Sequence, residues 1–315
     1  MNILITRHDK IGDFMTMLPV CKVLKEQTNH KIVMLVSKIN VDIAKELDFI
    51  DDVIEYSEDT FELLKRLAPY KFDVSISGYI DFNLGFSLFL ARIPIRIAPA
   101  TKIAQIFFNN TIKQRRSRVE KTEWAYNLDL LHNFDESLVL EFQKPLLKIE
   151  NPKLTKGNAL GCKIQNFIIF HAGSGGSSDG NLTLDEYLML GKQVSQNTDT
   201  KVVFCFGPDD IETQKYIEKN LDFEAIIKND FISLWDYITY IATSKLFVST
   251  STGPMHLAGL TNTPTLSFFG SNLFASSKRW ATISDENYQH NYEIPPNHGK
   301  EFYNIIENKL MEILR

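Results

Sequence analysis

The stretch Phe247–Gly270, FVSTSTGPMHLAGLTNTPTLSFFG, constrains this chain more than any other: an apolar strand runs into hydroxyl residues, then Gly-Pro, then a helix carrying His256. Gly253 lets the backbone approach a ligand closely, and Pro254 suits the start of a helix, where free N–H groups and the helix dipole favour an anion such as phosphate. A second strand, Thr265–Phe269, follows the break at Thr263-Pro264. Strand, helix and strand in that order form one unit of a parallel sheet.

The same alternation extends over the whole chain. Strands are expected at Ile3–Thr6, Lys31–Val36, Asp52–Tyr56 and Asp73–Ser77, and again at Phe167–His171, Lys201–Phe206, Ala225–Ile227, Lys245–Ser249 and Thr265–Phe269, with helices between. This predicts an α/β protein of two parallel sheets, each covered by helices. The polar stretch Ile149–Lys163 is the best linker, which sets the domains at 1–155 and 156–315. The last segment, Lys300–Arg315, reads as a helix and is a candidate to pack back on the first domain.

Composition narrows the function classes. At 315 residues, 44% hydrophobic and 23% charged, the chain has the make-up of a soluble globular protein with room for two α/β cores. A net charge of −5 excludes a generally basic nucleic-acid binder. Cys21, Cys162 and Cys205 lie far apart, so neither a disulfide framework nor a zinc site is suggested, and a reducing cytoplasm is the expected home. No apolar run approaches the ~20 residues of a membrane span, and the N-terminus lacks the look of a signal peptide. With no D-x-D arrangement or His/Asp cluster at ligand spacing, neither a metal nor a cofactor is expected.

Three blocks carry a family likeness: IGD at Ile11–Asp13 after the first strand, HAGSGG at His171–Gly176 after the fifth, and STGPMHLAGL followed by TPT and FFG. Together with TEWAYNLDLL at Thr122–Leu131, they resemble the ADP-heptose:lipopolysaccharide heptosyltransferases, glycosyltransferase family 9. The resemblance implies a GT-B architecture, two doubly wound Rossmann-like domains facing a central cleft, with the acceptor on the first and the nucleotide sugar on the second. It implies an inverting, metal-independent transfer of heptose from ADP-heptose to a hydroxyl of the lipopolysaccharide core. The catalytic base would be Asp13, and the acceptor, the core and lipid A, would lie at the cytoplasmic face of the inner membrane, where the enzyme would be peripheral.

The residues themselves suggest the rest of the site. His171, Gly173, Ser174, Gly175 and Gly176 offer a backbone cradle for a nucleotide. Ser251, Thr252, Gly253 and His256 supply donors for a diphosphate whose charge grows as it leaves. One of Asp209, Asp210 and Glu212 is a candidate for ribose, against the alternative of a solvated acidic loop. For Asp13 the alternative is a plain helix cap, and for His256 a core or surface histidine.

A local charge reversal lies at Arg92–Lys121, where Arg92, Arg96, Lys102, Lys113, Arg115, Arg116, Arg118 and Lys121 are opposed only by Glu120. It is interleaved with Ile103, Ile106, Phe107 and Phe108 and suits an anionic acceptor or the membrane surface that carries it, or else is a solvated basic loop. Arg115, Arg116 and Arg118, with Arg7 and Lys10 of the first turn, are the acceptor-binding candidates. Two departures from the family bear on the donor: Ser251 stands where an Asp is common, and Asp179-Gly180-Asn181-Leu182 stands where a Lys or Arg precedes a Trp. Lys278 and Arg279, or Arg7 and Lys10 in the first turn, could replace the missing cation. The two departures leave open a same-fold transferase for another nucleotide sugar or a protein acceptor, or a non-catalytic binder of nucleotide sugar or glycolipid.

Overall fold

The computed structural model describes residues 1–149, 166–173 and 180–315. Most of the expected linker, and Ser174, Gly175, Gly176, Asp179 and Cys162, lie outside the described residues. Two compact units divide after Leu146, earlier than the expected boundary at residue 155. Leu147 already donates its N–H to the carbonyl of Leu260, at 3.1 Å, within the second unit.

In the first unit the order is β1 (Asn2–Arg7), α1 (Ile11–Gln27), β2 (Lys31–Val36), α2 (Val41–Lys45), β3 (Asp52–Glu55), α3 (Thr60–Leu67), β4 (Val74–Ser77), α4 (Phe82–Leu90), β5 (Ile95–Pro99), β6 (Asn110–Ile112) and α5 (Glu123–Phe134). All strand pairs are parallel, in the spatial order β3-β2-β1-β4-β5-β6. A strand buried on both faces needs no polar alternation, which is why β1 and β2 read as unbroken apolar runs.

The second unit runs β7 (Phe167–His171), α6 (Leu184–Asn197), β8 (Lys201–Cys205), α7 (Ile211–Asn220), β9 (Ile226–Lys228), α8 (Leu234–Ile241), β10 (Leu246–Thr250), α9 (Gly253–Leu260), β11 (Thr265–Gly270), α10 (Ser277–Trp280), β12 (Gln289–Ile294) and α11 (Lys300–Leu314). Its sheet is ordered β12-β11-β10-β7-β8-β9, which is the first sheet's arrangement repeated. Each is the doubly wound order 3-2-1-4-5-6, in which the chain reverses direction across the sheet beside the first strand and leaves a crevice at the carboxyl ends. That reversal falls between β1 and β4 in one unit and between β7 and β10 in the other.

Sequence reading missed β5, β6 and β12. The last two are edge strands, short or polar, and β5 carries Arg96 between two prolines. The closing helix α11 buries Tyr303, Ile306 and Leu310 in the second unit's own core.

Candidate active site

At the first switch point, β1 ends in Arg7, whose guanidinium is buried and bonded through each of its three nitrogens. Its Nε donates to Asp9 Oδ1 at 2.8 Å, Nη1 to the carbonyl of Gly78 at 3.0 Å and Nη2 to Asp13 Oδ1. The bond to Gly78 spans the crevice from β1 to the residue after β4, so one side chain ties both lips together and holds two carboxylates. Burial by itself would lower the Arg7 pKa, but Asp9, Asp13 and Glu123 around it raise it on balance. Burial pushes the Asp9 carboxyl up, against the pull of Arg7 and with the help of Asp13.

Asp13 sits in the first turn of α1. The residue flanking that helix is Lys10, which makes no side-chain cap bond, so Asp13 is not the cap of the alternative reading. Its backbone carbonyl accepts from Thr16 Oγ1 at 2.6 Å, and Asn127 Nδ2 reaches both the hydroxyl and the carbonyl of Thr16 at 3.0 Å. The block Thr122–Leu131 therefore buttresses the first turn of α1, a role that its sequence alone did not reveal.

Beside this group His8 Nε2 lies 2.6 Å from Asp81 Oδ2, and its ring stacks on Tyr56 with centroids 4.0 Å apart. Asp81 also caps α4 through the N–H of Leu84 at 2.7 Å. His8, Asp9 and Asp81 were not singled out from sequence. A signal was present in R-H-D-K-I-G-D, where Asp9 precedes Asp13 by one helical turn.

The acceptor-binding candidates separate. Arg7 is buried and holds Asp9, Asp13 and the carbonyl of Gly78. Arg116 pairs with Glu123 and donates to Gln114 Oε1 at 2.7 and 2.9 Å and to Asn127 Oδ1 at 3.1 Å, so it too is taken up inside the unit. Arg118 is exposed, 3.9 Å from Glu120, and Arg115 and Lys10 are exposed.

At the second switch point His171 ends β7, buried, with Nδ1 3.1 Å from the carbonyl of Cys205 on β8. Burial lowers its pKa, while Asp210, 3.9 Å from Nε2, opposes this. Asp210 is buried as well and accepts from the N–H of Gly207 at 2.8 Å. A Cβ on Gly173 would overlap the Asp210 carboxylate, so the loop after β7 and the loop after β8 close on each other only because residue 173 is glycine. Of the acidic candidates, Asp210 is thus part of the crevice wall, whereas Glu212 is exposed and bound to Lys215 at 2.8 Å.

From β10 the chain turns through Ser251 and Thr252 into α9. Ser251 N–H is bonded to Phe268 at 2.8 Å, and the Thr252 hydroxyl donates to the Thr250 carbonyl at 3.3 Å. Thr252 flanks the helix without a side-chain cap bond, and Pro254 contributes no N–H, so the first-turn donors are the amides of Gly253 and Met255. His256, one turn on, is buried with its ring edge-on to Trp280 at 6.4 Å. Gly180 lies against this turn. Its carbonyl accepts from Thr250 Oγ1, and a Cβ there would strike the Phe269 carbonyl. The departure from the family at this residue is therefore a backbone-packing position. Arg279 is buried, stacked 3.7 Å over Phe274, while Lys278 is exposed.

Known proteins share this chain's sequence pattern and fold. The model of glycosyltransferase family 9 (heptosyltransferase) matches residues 61–304. A Haemophilus influenzae protein provisionally named a glycosyltransferase is 34% identical over 99% of this chain and 95% of its own length. Among solved structures, Escherichia coli ADP-heptose lps heptosyltransferase II has a TM-score of 0.80 at 17% identity over 100% of this chain and 98% of its own. The family 9 glycosyl transferase of Veillonella parvula has a TM-score of 0.81 at 14% identity over 99% and 97%. The E. coli heptosyltransferase WaaC, solved with ADP, has a TM-score of 0.74 at 14% identity over 99% and 100%. These likenesses show a shared GT-B fold.

Proposed function

The chain belongs to glycosyltransferase family 9 and is a glycosyl-transferring enzyme, and from that premise we propose that it moves heptose from ADP-heptose to a hydroxyl of a lipopolysaccharide core. The observation that carries the chemistry is the buried Arg7, which holds Asp13 at the head of α1 at the first sheet's switch point. In this reading the acceptor oxygen attacks the anomeric carbon from the side opposite the diphosphate, the bond to the diphosphate oxygen breaks, and configuration inverts. The acceptor proton passes to Asp13, whose backbone is held by Thr16 and Asn127. Negative charge collects on the departing nucleoside diphosphate. The start of α9, with Ser251, Thr252, Gly253 and the dipole behind them, is suited to receive it, and His171, Gly173 and Asp210 to hold the nucleoside. His256 contributes from one turn inside α9.

A second reading, another nucleotide sugar as donor, is supported by both departures from the family: Ser251 puts a hydroxyl where a carboxylate is common, and Asp179-Gly180-Asn181-Leu182 lacks the cation. Thermal-shift titration with ADP-heptose, ADP-mannose, UDP-glucose and GDP-mannose separates the two, because only a ligand that binds the native state raises the midpoint. The expected result is a rise with ADP-linked sugars alone. A rise confined to a UDP- or GDP-sugar assigns the donor to the second reading. Asp13→Asn is expected to keep the nucleotide-induced shift and to lower turnover by roughly a hundredfold or more. Turnover within a few-fold of the native enzyme would remove Asp13 from the role.

A further inference from the structure

Helix α4, FNLGFSLFL, contains no charged residue, yet only one of its sides faces the core. Leu84, Gly85, Ser87 and Leu88 are buried. The opposite side presents Phe82, Phe86, Phe89 and Leu90, at spacings of four, seven and eight from the first, and Phe82 and Phe89 are 60% and 51% exposed. An exposed apolar face of this size on a surface helix marks a contact surface.

The patch continues into the 3-10 turn Ile103–Phe107. Gly85 lets that turn close on α4, since a Cβ there would come within 2.9 Å of the Phe107 ring. Phe107 then gathers Phe82, Phe86 and Phe89 at centroid distances of 4.9, 5.6 and 6.2 Å. Ile103 and Ile106 project from the same turn, 81% and 68% exposed.

The segment that builds this surface carries charges of one sign, Asp81 at the cap of α4 being tied to His8. From Phe82 to Val119 the sequence holds seven Lys or Arg and no Asp or Glu, in a chain whose net charge is −5. Arg92 follows α4 and is exposed, Arg96 lies 5.6 Å over the Phe89 ring, and Lys102 opens the 3-10 turn with Nζ 3.8 Å over Tyr79. We propose that the α4 and Ile103–Phe107 surface is a docking face for an anionic lipid bilayer. The phenylalanines and isoleucines would enter the boundary between headgroups and acyl chains, and the cations would meet lipid phosphates. A second copy of this chain fits poorly, because burying two such faces together would bring Arg92, Arg96 and Lys102 of both copies close to one another.

The proposal concerns where the enzyme works and holds whichever sugar it transfers. Its test is co-sedimentation of the full chain with vesicles of phosphatidylcholine alone and of phosphatidylcholine mixed with phosphatidylglycerol. The native protein is expected to partition at least tenfold more strongly to the mixed vesicles at low salt. Phe82→Asp with Ile106→Asp is expected to lower that partition by about tenfold or more, both side chains being over half exposed and outside the core. Arg92→Gln with Lys102→Gln is expected to remove most of the preference for anionic lipid while leaving the weaker binding to phosphatidylcholine, and this second pair decides the matter should the first disturb folding. Failure of the native protein to bind mixed vesicles, or binding indifferent to both pairs, would overturn the proposal. So would self-association in sedimentation equilibrium that the Phe82→Asp, Ile106→Asp variant abolishes, which would assign the face to a second copy.

Discussion

At the scale of single residues, what a charged side chain does here depends on what already holds it. Arg115, Arg116 and Arg118 are one cluster in sequence, but Arg116 reaches a buried Glu123 while the other two are exposed. Removing one member of a buried pair strands the other's charge, whereas a surface cation contributes little. Arg116→Met is therefore expected to lower the unfolding free energy by on the order of 3 kcal/mol. Arg115→Met should stay within about 0.5 kcal/mol of the native protein. Urea unfolding of the two variants checks this, and equal losses would mean that the pair with Glu123 contributes no more than a surface contact. Arg7 follows the same logic: its position in the first turn marked it for an anionic ligand, and its burial gave it to Asp9 and Asp13 instead. No spacing rule in the sequence distinguishes these cases, because the partners Gly78 and Glu123 arrive from other elements.

At the scale of elements, the legible parts are those with a local cause. The strand-helix-strand pattern around Gly253 and Pro254 is local, and β10, α9 and β11 appear as expected. β12 is not legible, since QHNYEI has no apolar alternation and becomes a strand by pairing along β11. The loop after β7 is half legible. Gly173 stands out as a turn residue, but the reason for it is the Asp210 carboxylate delivered by the loop after β8. Gly173→Ala is expected to push that loop away, weakening ADP binding by about tenfold or more while the protein stays folded, because the loss is of a close approach and not of core volume. Calorimetric titration with ADP tests it. Unchanged affinity would show that the contact between the two loops plays no part in holding nucleotide.

At the scale of the whole molecule, the two units repeat one strand order without visible sequence identity, and each has a crevice beside the strand where the order reverses. Carboxylates occupy the first reversal and a helix start with backbone donors the second, a division suited to proton removal in one unit and diphosphate binding in the other. On that division, amide hydrogen exchange with and without ADP should show its largest slowing after β7, after β8 and at the head of α9. Slowing concentrated instead between Arg7 and Asp13 would place the nucleotide in the first unit.

The sequence by itself determined the fold class, the two-sheet plan, the family, and that Asp13 and Gly253 open helices and His171 ends a strand, because strand and helix periods and turn glycines are written in neighbouring residues. Only the tertiary structure decided which cations are free to meet a ligand, that Asn127 and Glu123 support the first turn, and that the apolar residues of α4 and the turn at Ile103–Phe107 form one exposed face. Those outcomes depend on which segments, distant in sequence, are packed together, and burial and pairing have no local code.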